Sequence, residues 1–478
     1  MAKPIPKKVK NLDAVFNPDS IAVIGASREP NKIGHVIVKN FIDGGFAGRI
    51  YPINPRAEDI LGLRAYKSVL DIKEKVDSAV IAVPAAAVAP VLEECGKKGI
   101  RGVVLITGGF SEVGNSEAEK KLAEIANRYD IALIGPNCMG VITPGSRVDS
   151  VFLPIYKLGR PRVGNISFIS QSGAVGGCIV DLAARAGIGM SKFVSYGNAA
   201  AIDECDLLEY LYHDPDTKII VAYLEGVKKG KRFLEVAKRI TRKKPIVVLK
   251  AGRSAAGAEA ARSHTGSLAG ASEAYSAAFK QANVIEAQTL EQLFDFAKIF
   301  DQVLPSGRRI GIITNGGGMG VLATDALADE GLALSQLSDE TQKLLRASLP
   351  PYANVRNPLD IIGDADSHRY EIAINAMMKD ESVDVIMLII LFQTAGIDSS
   401  VVNIAIRASD LRKKPIISVC SGGEYTEMHK RILESYGVPT YVSPTSAMRS
   451  ISRFIKYAEH YSKYNTAHSV LQAEKERQ

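Results

Sequence analysis

Short β-branched apolar runs alternate with stretches of helical length from Ser20 almost to the end of the chain, and this alternation limits the fold more than any other feature. Residues 20–25, 48–53, 78–83, 102–106 and 131–135 are near-continuous apolar runs, as expected of strands covered on both faces. Helical stretches of roughly 10–20 residues separate them, which is the βαβ signature of a parallel sheet. Residues 1–140 are therefore expected to form a Rossmann-like domain.

The rest of the chain contains an internal repeat. Gly164-Asn165-Ile166-Ser167-Phe168-Ile169-Ser170-Gln171-Ser172-Gly173 resembles Arg309-Ile310-Gly311-Ile312-Ile313-Thr314-Asn315-Gly316-Gly317: a strand, a small polar turn, then a helix start. Further on, Lys243-Lys244-Pro245-Ile246-Val247-Val248 matches Lys413-Lys414-Pro415-Ile416-Ile417-Ser418, and the second copy carries an insertion of about 26 residues. The loop-like stretch 349–358 is the expected place for it. The expected fold class is thus α/β, with a Rossmann-like domain (1–140), two flavodoxin-like parallel-sheet domains (141–303 and 304–465) and a polar tail (466–478).

At 478 residues, two to four cores of ordinary size are expected. A formal charge of +7 is mild for this length, and the basic cluster in 227–244 has little aromatic interleaving, so it reads as a solvated helix face and not a nucleic-acid groove. Five scattered cysteines without a CxxC pair indicate a reducing compartment and give no metal site. The basic N-terminus lacks a following apolar segment, and no run approaches the roughly 20 residues needed to span a bilayer. A cytoplasmic protein without a membrane or nucleic-acid partner is expected.

Four places carry chemistry. The turn Gly25-Ala26-Ser27-Arg28-Glu29-Pro30-Asn31-Lys32-Ile33-Gly34 leaves a strand and enters a helix, where phosphates of a nucleotide-like ligand bind. It lacks GxGxxG spacing, and Asn54-Pro55 stands where NAD-binding domains carry an acidic residue, so an NAD-dependent dehydrogenase is disfavoured. Ser172 and Gly173 begin a helix whose free N–H groups form an anion cradle; the matching turn at 314–320 reads as inherited geometry. Glu225 ends an apolar run at the edge where active sites of such sheets gather, and a carboxylate there can fix an imidazole tautomer, although strand-end glutamates are commonly just solvated. His264 lies in Arg262-Ser263-His264-Thr265-Gly266-Ser267 before an alanine-rich helix; a lone histidine is usually an ordinary surface or core residue, and the small hydroxyl and glycine neighbours set this one apart. Cys138 reads as a packed small residue.

Ser170-Gln171-Ser172-Gly173, Tyr223-Leu224-Glu225-Gly226 and Ala261-Arg262-Ser263-His264-Thr265-Gly266-Ser267, with Gly135-Pro136-Asn137-Cys138 in support, together resemble the α subunit of NDP-forming acyl-CoA synthetases, the ADP-forming acetate–CoA ligase group related to succinyl-CoA synthetase. The likeness covers about residues 10–460. It implies that His264 is transiently phosphorylated and that Glu225 orients it. Ser172 and Gly173 at one helix start, and Gly266 and Ser267 at another, would hold the phosphate. Gly25, Ala26, Ser27, Lys32, Asn54, Pro55, Val83 and Pro84 would face coenzyme A. The implied reaction is acyl-CoA + ADP + phosphate ⇌ acid + ATP + CoA through acyl phosphate and phosphohistidine. The chain contains no evident ATP-grasp domain and no GxxxxGK[ST] loop, so the resemblance implies an ATP-grasp β subunit, an α2β2 assembly, and Mg2+ with ADP or ATP on that partner. The alternative is a non-catalytic subunit that senses CoA or acyl-CoA.

Overall fold

The apolar runs become the central strands of three sheets in the computed structural model, which describes residues 5–257, 259 and 272–476, those after 464 by backbone alone. After the short helices α1 (Lys7–Lys10) and α2 (Asp13–Phe16), the first sheet is built from β1 (Ser20–Ile24), β2 (Arg49–Ile53), β5 (Ser78–Ile81), β6 (Gly102–Leu105) and β7 (Ala132–Ile134). The hairpin β3 (Asp59–Ile60) and β4 (Leu63–Arg64) stands apart. Helices α3 (Ile33–Asp43), α4 (Ala85–Lys98) and α5 (Ser116–Arg128) connect the strands, and every pairing within the sheet is parallel.

The second sheet contains β8 (Gly140–Thr143), β9 (Val148–Asp149), β10 (Val163–Ser170), β11 (Met190–Ser195), β12 (Ile219–Leu224), β13 (Ile246–Lys250) and β14 (Ile285–Ala287). Helices α6 (Gly173–Ala186), α7 (Glu204–His213) and α8 (Gly230–Ile240) lie between them. Asp203 starts α7 with a capping box, its carboxylate accepting from the Asp206 N–H while Asp206 reaches back. The third sheet has β15 (Arg309–Thr314), β16 (Ala333–Leu334), β17 (Leu359–Asp360), β18 (Val385–Ile389), β19 (Ile416–Val419) and β20 (Thr440–Tyr441).

All three sheets wind alike. Their orders are β2-β1-β5-β6-β7, β14-β13-β12-β10-β11 with β8 and β9 added antiparallel, and β16-β15-β18-β19-β20 with β17 also on β15. In each, the first strand lies between the second and the third, so neighbouring crossovers leave on opposite faces and a crevice opens at the carboxyl ends of the first and third strands.

Residues 1–185 with 189–288 form one compact unit, and 289–478 with 186–188 another. Within the first unit, Val23 and Val80 of the first sheet belong to the same apolar core as Val141, Ile169 and Val194 of the second. In the second unit separate cores cover the two faces of the third sheet. The repeat is visible as β10–α6 and β15 with the helix Gly317–Asp329. Its insertion differs from the expected loop: it includes the helix Asp339–Ser348, started by the Ser338 hydroxyl, as well as the stretch after it. The last helix runs Pro444–Glu476, into the stretch that composition marks as a polar tail. Among the described residues no helix is long and apolar enough to cross a membrane.

Candidate functional site

The crevice of the second sheet lies between β10 and β12, which run in register with Ser170 beside Tyr223. A glutamine clips the two strand ends together. The Gln171 Oε1 accepts the N–H of Glu225 and, at 3.0 Å, that of Gly226, while its Nε2 donates to the Gly226 carbonyl at 2.9 Å. Its own N–H donates to the Tyr223 carbonyl at 3.3 Å. Glu225 is thereby fixed at the strand end, 6% exposed.

Directly after Gln171 the chain turns into α6. Ser170 Oγ donates to the Ser172 carbonyl at 2.7 Å, and Ser172 Oγ accepts from the Val175 N–H at 3.3 Å, which caps the first turn. The first N–H groups of a helix have no partner within it, and here they belong to Gly173 and Ala174 on a cavity wall. A Cβ added at Gly173 would stand 3.4 Å from the Met139 Cβ, so glycine leaves this approach open.

That cavity measures about 1380 Å³ and opens between the first two sheets. Ala82, Val83, Ile106 and Thr107, from the carboxyl ends of the first sheet, line one side, and Gln171, Ser172, Gly173 and Gly226 line the other. The Thr107 hydroxyl donates to the Val83 carbonyl at 2.7 Å. A polar bridge crosses one end: Asn198 Nδ2 donates to Glu119 at 2.8 Å and to Glu112 at 2.5 Å, and its own carbonyl accepts from Lys228 at 2.9 Å. Burial works to raise the Glu112 pKa, but the Gly109 N–H and the Asn198 amide hold it below the usual carboxylate range. Met139, Phe152 and Leu153 give the cavity an apolar stretch.

Val83, Ser172 and Gly173, expected from sequence, thus share one cavity with the turn that follows Glu225. Gly25, Ala26, Ser27, Lys32, Asn54, Pro55 and Pro84 are not on its wall; the first six cluster at the crevice of the first sheet. Gly25 has φ +93°, and a Cβ there would come within 2.3 Å of the Ala82 carbonyl oxygen, so the turn requires glycine. Ala26 is 1% exposed; its methyl belongs to the core and its backbone makes the turn. Asn54 Nδ2 donates to the Ala26 carbonyl at 2.8 Å and Oδ1 accepts from the Arg56 N–H at 2.8 Å, tying two loops of that crevice together. The Ser27 hydroxyl accepts from the Glu29 N–H at 3.1 Å, and Lys32, Pro55 and Pro84 are exposed.

His264, Gly266 and Ser267 lie outside the described residues. The helix Ser272–Gln281 that follows buries Phe279 in the core, with Tyr275 packed against it. Cys138 is a packed thiol: it donates to the Leu105 carbonyl at 3.2 Å, and burial pushes its pKa up to about 12.

Sequence reasoning passed over Gln171 as a clip, and it passed over Lys250. Lys250 ends β13 beside β12 and is 2% exposed. Burial pulls its pKa down while Glu225 draws it up, and Tyr223 is pushed up to about 12 by burial with Glu225 adding to it. The only sequence signal for Lys250 was a cation closing an otherwise apolar strand.

The chain is similar to known proteins over most of its length. Residues 19–144 match a CoA binding domain, 163–300 a succinyl-CoA ligase like flavodoxin domain, and 310–460 a ligase-CoA domain. An ADP-forming acetate–CoA ligase of Methanocaldococcus jannaschii is 46% identical over 452 residues; the match covers 94% of this chain and 63% of that longer protein, so the chain spans less than two thirds of its length. Subunit alpha of the ADP-forming acetate–CoA ligase II of Pyrococcus furiosus is 42% identical over 454 residues, covering 94% of this chain and 98% of that one. Acetyl-coenzyme A synthetase 1 of Ca. Korarchaeum cryptofilum, solved in complex with phosphate and ADP, superposes with a TM-score of 0.88 at 38% identity over 95% of this chain and 98% of that one. With its three domains in this order and near-complete coverage of an α subunit, the chain belongs to the ADP-forming acetate–CoA ligase family.

Proposed function

We propose that the chain is the α subunit of an ADP-forming acyl-CoA synthetase and works with a separate ATP-grasp β subunit, as an α2β2 assembly in the cytoplasm. Its substrates are an acyl-CoA and phosphate, or in reverse a small carboxylic acid and CoA. The observation that carries this reading is the shared cavity: the Ser172–Gly173 helix start and the Gly226 turn that follows Glu225 face the same space as Val83 of the CoA binding domain.

The chemistry follows from what these groups can do. A phosphate oxygen attacks the thioester carbonyl, the C–S bond breaks, and CoA leaves as the thiol once its sulfur takes a proton. N–H groups at the start of α6 offset the phosphate charge during the attack. A ring nitrogen of His264 then attacks phosphorus in the acyl phosphate, and the carboxylic acid departs as its carboxylate. Glu225 accepts from the other ring nitrogen and so fixes the nucleophilic tautomer. Phosphohistidine passes its phosphoryl group to ADP held, with Mg2+, by the partner subunit. Gly266 and Ser267 complete the phosphate cradle, and Gly25, Ala26, Ser27, Lys32, Asn54, Pro55, Val83 and Pro84 serve CoA.

The test is phosphorylation of the full chain together with its partner subunit. Acetyl-CoA and labelled phosphate are expected to leave acid-labile phosphate on wild type and none on His264→Ala. Retention of full acyl-CoA-dependent ATP formation by that variant would overturn the reading.

A further inference from the structure

Two adjacent glycines in α6 are there for different reasons. A Cβ at Gly176 would come within 2.9 Å of the Phe193 ring, so packing against the sheet favours glycine at that position. At Gly177 nothing in the fold forbids a side chain. Its backbone is helical, and an added Cβ would stand 3.4 Å from the Met139 Sδ and 3.9 Å from the Leu153 Cδ1, which are ordinary contact distances. Glycine inside a helix costs about 0.5–1 kcal/mol relative to alanine. At Gly177 that cost brings no closer packing; it keeps side-chain volume out of the cavity, whose wall Gly177 lines.

The space kept open adjoins the helix start at Ser172 and Gly173. Residues four apart share a helix face, so Gly177 lies one turn along from Gly173, the first residue of α6. Met139 spans both positions: a Cβ at Gly173 would meet its Cβ, and one at Gly177 its Sδ, each at 3.4 Å. Phe152, Leu153 and Leu158 continue the apolar wall. Their loop is pinned from two sides. Asn40, 2% exposed, donates to the carbonyls of Val151 and Leu153 at 2.7 and 3.0 Å. Arg160 donates to those of Leu158 and Leu153 at 2.6 and 2.8 Å and to Asp149 at 2.6 Å. Charge on the wall points the same way. Lys120 follows Glu119, and Lys228 donates to the Asn198 carbonyl at 2.9 Å, so both lysines belong to the polar bridge. One turn beyond Gly177 the charged wall residue is Asp181, an anion that repels a second carboxylate.

We propose that Met139, Phe152, Leu153 and the bare face of Gly177 form the acyl subsite, which takes apolar acyl groups larger than acetyl, and that Gly177 sets their size. The proposal rests on the Ser172–Gly173 helix start being the phosphate cradle of an acyl-CoA synthetase. A thioester attacked by phosphate there has two arms: the sulfur arm leads to CoA on the side of Val83, and the acyl arm meets the apolar wall along α6. A drug-sized ligand occupies a pocket of roughly 300–1000 Å³. The cavity, at about 1380 Å³, has room for a branched aliphatic acyl group beside the end of CoA. The flexible Met139 thioether adapts to the shape of such a group.

The full chain with its partner subunit is assayed with CoA, ATP and one of three acids: acetate, 3-methylbutanoate or succinate. Wild type is expected to use 3-methylbutanoate with a kcat/KM no lower than that for acetate, and succinate at least about 100-fold less well. Gly177→Ala is expected to lower the ratio of kcat/KM for 3-methylbutanoate to that for acetate about 10-fold, and Gly177→Val about 100-fold, with KM for CoA within about twofold of wild type. Gly177→Ala should also raise the unfolding midpoint, because the helix gains an alanine, so its altered selectivity cannot come from a damaged fold. A ratio unmoved in Gly177→Ala, a loss confined to KM for CoA, or a wild type that prefers acetate or accepts succinate equally would overturn the proposal. The two levels separate cleanly. No turnover of any acid by wild type sinks the synthetase reading and the subsite with it, whereas turnover with an unmoved ratio sinks the subsite alone.

Discussion

The second and third sheets are two copies of one winding, and they part company at a few side chains. In both, the residue after the first strand clips the end of the third. Gln171 binds the Glu225–Gly226 backbone, and Asn315 accepts the Leu391 N–H at 2.9 Å and donates to the Leu391 carbonyl at 3.2 Å. A lysine before the fourth strand also serves alike in each copy. Lys244 donates to the carbonyls of Leu211 and Asp214 at 2.8 and 2.7 Å, and Lys414 to those of Met377 and Asp380 at 2.9 and 2.5 Å, each meeting the last carbonyls of a helix. What differs is the side chains at these strand ends: Glu225 and Lys250 in one sheet, Leu391 and Cys420 in the other. The backbone clip and the helix-end lysine therefore recur with the fold, and the buried charges are peculiar to one copy.

The largest expected effect is on the stability of the copy whose clip is wholly buried. Asn315 is 1% exposed, and its Oδ1 also accepts from the Tyr370 hydroxyl at 3.0 Å. Asn315→Ala strands the Leu391 backbone and part of that network, so urea unfolding should show a loss of about 3 kcal/mol. A loss below about 1 kcal/mol would mean that this clip is not structural, and the parallel between the sheets would break.

A second contrast lies in the aspartate that follows a helix in each copy. Asp214 accepts from the buried Lys192 ammonium at 2.7 Å. Asp380 accepts backbone N–H groups of Ser338 and Ser382, both at 2.9 Å. Burial would raise the Asp380 pKa, but those N–H groups and the Ser382 and Thr341 hydroxyls outweigh it and hold the carboxyl at about 2, below its ordinary 3.8. A depressed carboxylate stabilises the fold above its unfolded value, and that contribution disappears as pH falls through the folded one. Acid titration of the unfolding free energy should therefore show about 2 kcal/mol lost between about pH 4 and pH 2, and Asp380→Asn should remove that part of the slope. An unchanged slope in Asp380→Asn would show that the two aspartates do not differ as their partners indicate.

The sheets were legible in sequence because strands covered on both faces leave continuous apolar runs, and the repeat was legible because its turns and its Lys-Lys-Pro segments recur in order. Ser172, Gly173 and Glu225 were legible as strand-end residues before a turn. Gln171 was not, since its partners lie 54 and 55 residues away and become neighbours only through the order β12-β10. Lys250 was hidden by ending a run that reads simply as a strand. The helix Asp339–Ser348 was missed although Ser338-Asp339-Glu340 is a good helix start, because the prolines and asparagines of 349–358 read as the whole insertion. At the first crevice, spacing alone did not show that Ala26 points into the core or that Asn54 is engaged with the Ala26 carbonyl and the Arg56 N–H.

The smallest effect expected is also the finest test of the comparison. Gln171 and Asn315 do the same work with side chains one methylene apart, and Gln171 reaches two N–H groups where Asn315 meets one in that strand end. Gln171→Asn gives the second sheet the shorter clip of the third. A single hydrogen bond is lost or lengthened, so stability should fall by only about 1 kcal/mol. The shift acts on the backbone of Glu225 itself, however, and in the proposed mechanism catalysis tolerates little misplacement of the group that orients the nucleophile. We expect kcat to fall about fivefold with KM for CoA unchanged, and the kcat profile to keep its acid limb, because the charges around Glu225 are untouched. If kcat is unaffected, clip length is free to vary and the Gln–Asn difference records only drift between the copies. If the limb moves as well, Gln171 acts on the charge of Glu225 and not only on the position of its backbone.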